Sequence, residues 1–76
     1  MTSITAQAAR HQEMIEEAAE FGDRFPNVSD YEVVEHVRFV FRRPIHPESC
    51  VANACIAAAR EGVAAGEAHI RAFFGG

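Results

Sequence analysis

"VSDYEVVEHVRFVFRRP", residues 28–44, decides the fold, because two incompatible elements fit it. Read as a strand, residues 31–42 put Tyr31, Val33, Val37, Phe39 and Phe41 on one face, with Glu35 breaking the alternation and Val34 and Val40 on the polar side. Read as a helix, Val33, Val34, Val37, Val40 and Phe41 share an arc of about 120°, and only Tyr31 and Phe39 fall outside it. Periodicity alone does not separate the two. The β-branched and aromatic content favours a strand. The start of the segment favours a helix. Ser29 followed three residues later by Glu32 is a capping box, in which each side chain satisfies the other residue's backbone amide, and Val28 and Val33 occupy the positions of a hydrophobic staple. Asp30 suits the positive end of a helix dipole. A strand over 31–42 would also be long against the usual five or six residues or so. Pro44 ends either element.

The segments on either side are helical by pattern. Over residues 4–22, Ile4, Ala8, His11, Ile15, Ala18 and Gly22 recur at helical spacing, Met14 and Phe21 widen the stripe, and Glu13, Glu16, Glu17 and Glu20 point away from it. Thr2 or Ser3 supplies a cap, Gly22 a stop, and His11 reads as a packed histidine. Residues 47–61 follow as a helix with Pro47 at its first position, Glu48 near its positive end and Gly62 after it. Val51, Ala54, Cys55 and Ala58 form its inner face. Over 64–74, Ile70, Phe73 and Phe74 share a helical face, although "EAHIRAFF" also alternates, and Gly75 and Gly76 read as a frayed end. The expectation is a single all-α domain over residues 1–76, a small bundle of three to four short helices at 4–22, 30–42, 47–61 and 64–74. The alternative is an α+β chain whose one strand at 31–42 pairs with its copy in a homodimer.

Composition narrows the function. The chain has 76 residues, 49% of them hydrophobic, which places it near the size where one core is only just sufficient and makes self-association an expectation. No apolar run nears the roughly 20 residues of a membrane span, and no basic-then-apolar leader opens the chain, so a soluble, cytoplasmic protein is expected. The net charge of −4 is unevenly spread. Glu13, Glu16, Glu17, Glu20, Asp23 and Asp30 face only Arg10 and Arg24 in the first thirty residues, whereas Arg38, Arg42 and Arg43 cluster after them. Every basic residue is arginine, which reads as coding bias. An acidic chain is a poor default ligand for nucleic acid, whose binding rests on phosphate neutralisation.

Chemistry-bearing motifs are sparse. His46 and Cys50 share a helix face at four residues' spacing, but structural zinc needs four ligands in recognisable pairs, so neither metal nor cofactor is expected. Cys50 in the first turn of its helix invites a lowered thiol pKa, yet no orienting partner accompanies it, and no enzymatic activity is expected. Cys50 and Cys55 lie about 140° apart around a helix, too far to bridge, and read as reduced thiols. Ala58, Gly62 and Val63 match the turn of a helix-turn-helix, whose second helix would carry only His69 and Arg71 to DNA, beside Glu67.

The strand alternative has its own consequence. A strand ending near Pro44, a helix from Pro47 to Gly62 and a further helix to Phe74 resembles the element order of ribbon-helix-helix repressors. That resemblance implies a dimer with a β-ribbon at 36–42, Phe39 and Phe41 inward, and Arg38, Val40 and Arg42 towards the major groove. The helical reading instead leaves Tyr31 and Phe39 outside, beside Arg38 and Arg42, and exposed Tyr, Phe and Arg are what interface hot spots are made of. The leading expectation is therefore a non-enzymatic interaction module of the inhibitor, antitoxin or adaptor type, self-associating, with Tyr31, Arg38, Phe39 and Arg42 binding a partner protein. A dimeric DNA-binding repressor is the alternative.

Overall fold

The computed structural model describes the backbone of residues 3–74 and the side chains of residues 10–73. Among these residues it has four helices and no strand: α1 (Ser3–Arg24), α2 (Asp30–Phe41), α3 (Cys50–Glu61) and α4 (Val63–Phe74). The expected all-α bundle is what forms. The strand at 31–42 is overturned, and the β-ribbon at 36–42 with it. The local reason is the capping box, which is complete. Glu32 N–H donates to Ser29 Oγ at 3.2 Å, Ser29 N–H donates to Glu32 Oε1 at 3.1 Å, and Ser29 itself is extended at φ −78°, ψ 161°. The packing reason is that a helical turn gathers Val33, Val34 and Val37 on one buried face while closing the backbone hydrogen bonds within the segment. A lone strand here would have no ladder partner in its own chain.

α2 stops where its backbone turns left-handed. Arg42 lies at φ 53°, ψ 43°, its N–H bonded to Arg38 O, and the Arg43 N–H reaches the same carbonyl at 3.3 Å. Pro44 then bars another turn. A non-glycine residue in this region costs about 1 kcal/mol.

Two expected boundaries move. Gly22 does not end α1, which continues to Arg24. It is buried at the crossing with α3, where a Cβ would collide with the backbone oxygen of Ala59. Pro47 does not open α3 either. His46–Ser49 is a turn closed by Ser49 N–H to His46 O at 3.0 Å, with Pro47 at the second position that favours proline. The helix begins after Ser49, whose Oγ accepts from Ala52 N–H at 3.1 Å. The cap expected at Thr2 or Ser3, the side chains of Ile4, Ala8 and Phe74, and the frayed Gly75–Gly76 lie outside the described residues.

α1 and α3 form the centre: each packs on all three other helices, whereas α2 and α4 touch only this pair and not one another. Ala52, Ala54, Cys55 and Ala58 of α3 meet Met14, Ile15 and Ala18 of α1, the three valines of α2, and Ile45 from the loop after it. Alanine at the centre lets the helices approach closely. α4 needs this too, because a Cβ on Gly66 would lie 2.8 Å from both Ala54 O and Ile15 Cγ2. Gly62, at φ 103°, is the only residue between α3 and α4, and its N–H caps Ala58 O.

Polar contacts trim the edges. His36 of α2 stacks on Phe21 of α1, centroids 4.0 Å apart, and shares a 2.8 Å hydrogen bond with Glu17 Oε2. Arg60 of α3 donates to Val28 O at 2.7 Å and to Asp30 Oδ1 at 2.6 Å, holding the start of α2. These groups are solvated, so each ion pair contributes at most about 1 kcal/mol.

Candidate functional site

Two surfaces carry side chains that the core does not use. The first is the outer face of α2. Burying Val33, Val34 and Val37 turns Tyr31 and Phe39 outward, and they are 69% and 76% exposed. Arg38 and Arg42 are exposed beside them. Arg38 Nη2 donates to Glu35 Oε1 at 2.9 Å, one turn back on the same helix, so its guanidinium is held along the surface. Tyr31, Arg38 and Phe39 thus share the solvent side of α2, and Arg42, its left-handed cap, is exposed just past its end.

The second surface was not anticipated. A cavity of about 480 Å³ opens between α1, the α2–α3 loop, the start of α3 and the end of α4. Arg10, His11 and Met14 line it from α1, and Arg43, Pro44, Ile45 and His46 from the loop. Ser49, Cys50 and Val51 line it from the start of α3 and Phe73 from the end of α4. Among the described residues no carboxylate lines it, in a chain with eleven acidic residues. Among the described residues, neither Arg10 nor Arg43 makes an ion pair. Partial burial, with the Arg10 and Arg43 charges beside it, pushes the His11 imidazole below its ordinary pKa, so near neutral pH His11 adds no charge to that of the two arginines. His46 Nδ1 accepts from the Glu48 backbone N–H at 3.2 Å, which leaves its other nitrogen as the exposed one.

The thiols settle differently from the dipole argument. Burial pushes Cys50 up rather than down, and its Sγ–H points to His69 O at 3.7 Å. Cys55 is driven up to about 12 by burial and lies 3.9 Å from Met14 O. Both are free thiols, and burial favours the protonated form of each, Cys50 included despite its place in the first turn of α3. His46 and Cys50 do reach the same cavity, but among the described residues no three His, Cys, Asp or Glu side chains converge on a point where a metal could sit. Ala58, Gly62 and Val63 do form a tight helix–helix turn. Of the side chains that a DNA-reading second helix would use, His69 and Arg71 are exposed and Glu67 is half-buried.

One signal for the cavity stood in the chain. Residues 42–47, "RRPIHP", combine two arginines, a histidine and no carboxylate, framed by prolines that hold a loop open. Arg10, thirty-three positions from Arg43, joins them only through the fold. Among the described residues, no helix is long and apolar enough to cross a membrane. No protein-family model, curated protein or solved structure matches the chain.

Proposed function

We propose that this protein is a non-enzymatic, cytoplasmic interaction module of the adaptor or inhibitor type, that it binds a partner protein through the outer face of α2, and that the first partner this face fits is a second copy of the chain. The observation that carries the reading is the exposure of Tyr31 and Phe39 on a helix whose opposite side is fully buried, with Val33 and Val37 at 0%. Aromatic side chains on a rigid, core-anchored helix contribute contact area with little ordering entropy. Two free cysteines fit a reducing compartment.

The face is also complementary to itself. Tyr31, Glu35, Arg38 and Arg42 are spaced four, three and four residues apart, a pattern symmetric about the point between His36 and Val37. Packing α2 antiparallel against its copy across a two-fold axis therefore brings Tyr31 to the C-terminal end of the second copy's α2, where the exposed left-handed cap Arg42 stands, and sets Glu35 against the second copy's Arg38. The first contact is a cation–π pair and the second an ion pair, and the two-fold makes each twice. Both Phe39 rings come to the same edge of the interface, about 7 Å apart along the axis by helix rise. A strip one helix long is small for a stable interface, so the dissociation constant is expected on the order of micromolar or weaker.

Sedimentation equilibrium tests this. Glu35→Arg places like charges across the axis, and so does Arg38→Glu, so each variant alone should be monomeric at concentrations where the parent chain dimerises. Mixed together, they pair opposite charges at both positions and should associate again. A mixture that stays monomeric, or single variants that dimerise as the parent does, overturns the antiparallel pairing. Phe39→Ala tests the wider reading: the melting temperature should hold while association is lost, and a destabilisation of several kcal/mol, as for a core phenylalanine, would sink it.

A further inference from the structure

The cavity beside α3 is separate from the α2 face and calls for its own explanation. Two guanidiniums, Arg10 from α1 and Arg43 from the loop, line one cavity, and among the described residues neither has an ion-pair partner and no carboxylate lines it with them. In a chain of net charge −4, cations left together without a counter-charge are the less expected arrangement, and although solvent screens these exposed groups, a bound anion would favour their proximity further. Beneath them the walls are apolar: Met14 and Ile45 are buried and Val51 half-buried, and Phe73 stands at the rim, 66% exposed. A charged mouth over an apolar floor, in a volume within the range of small-molecule sites, selects for both parts of a ligand at once.

We propose that this cavity binds a small organic anion, with its oxyanion headgroup held between Arg10 and Arg43 and a compact apolar group on Ile45, Val51 and Phe73. Guanidinium suits such a headgroup because its fork of N–H donors matches the paired oxygens of a carboxylate or phosphate. The nearby start of α3, a twelve-residue helix, adds partial charge of the same sign. His46, at the same rim, offers a further donor. The apolar group displaces water chiefly from the exposed Phe73 ring and the open side of Val51, so headgroup and body should bind better joined than apart.

Amide chemical-shift titration of the full chain with phenyl phosphate, inorganic phosphate and phenol separates the contributions. Phenyl phosphate should give saturable shifts at Arg43, His46, Cys50 and Val51, with an affinity at least tenfold above that of either fragment. The double variant Arg10→Gln, Arg43→Gln changes two exposed side chains, so its helical circular dichroism should match the parent, while its affinity for phenyl phosphate falls at least tenfold. Should the double variant lose its fold, the single variant Arg43→Gln takes its place with the same expectation. Absence of saturable shifts, binding undiminished in the arginine variant, or inorganic phosphate binding as tightly as phenyl phosphate would each overturn the assignment. Parallel titration with benzoate reads which oxyanion the site prefers, and equal affinity for benzoate and phenyl phosphate supports recognition of the shared headgroup chemistry.

Discussion

α2 and α4 are both twelve residues long and both lie against the α1–α3 pair, yet they are held in opposite ways. α2 sits on side-chain bulk: three buried valines, a complete capping box at one end and a left-handed cap at the other. Among its described residues α4 buries no large side chain fully. It contributes a buried glycine and the partly buried Val63 and Ile70, and gains its contact through closeness, backbone against the alanines of α3. An anchor of methyl groups leaves the far side of a helix free for other uses, and Tyr31 and Phe39 are displayed on just such a side. A helix held by close approach depends instead on what is missing from it.

The largest effect should come from filling that gap. Gly66→Val puts a branched side chain where even a Cβ meets Ala54 O, and the backbone must shift; a loss of about 3 kcal/mol is expected in urea denaturation. The gain in helix propensity, under about 1 kcal/mol, does not offset it. Hydrogen exchange should show α4 opening first, and a variant as stable as the parent would remove the contrast between the two helices. Next comes Val37→Ala, which deletes two fully buried methyl groups from α2 and should cost about 2 kcal/mol in the same assay. A cost under roughly 0.5 kcal/mol would mean that the valines do not anchor α2.

The smallest effect has the opposite sign. Arg42→Gly relieves the left-handed strain at the end of α2 and should raise stability by about 0.5–1 kcal/mol, while removing the guanidinium proposed to face Tyr31 of a second copy. Thermal melting and sedimentation should therefore move apart, the first upward and the second towards monomer. If both moved upward, Arg42 would have no part in association.

The same contrast explains what was legible in the chain. α2 announced its start through Ser29 and Glu32, because a capping box is a local device and its two partners lie within one turn. Once that start is accepted, Val33, Val34 and Val37 point inward and the exposure of Tyr31 and Phe39 follows. Gly22 and Gly66 were opaque for the converse reason. A glycine in a helical pattern reads locally as a break or a penalty, and only the arrival of α3, from distant sequence, makes it a requirement. Ser49 was overlooked because Pro47 is an equally lawful helix start, and the choice between them depended on a turn that the hydroxyl closes. The cationic cavity was half visible, in the carboxylate-free stretch from Arg42 to Pro47. Its other half, Arg10, belongs to a helix that reads as acidic.

The single residue that joins α3 to α4 also bears on the order of events in folding. Contacts within that hairpin close short loops, whereas α1 reaches α3 across some forty residues, as between Met14 and Cys55. The α3–α4 hairpin should therefore form early, with α1 closing over it late. Gly22→Ala, placed at the late crossing, should act mainly on the unfolding arm of a chevron plot; an equal slowing of the folding arm would put α1 in the nucleus instead.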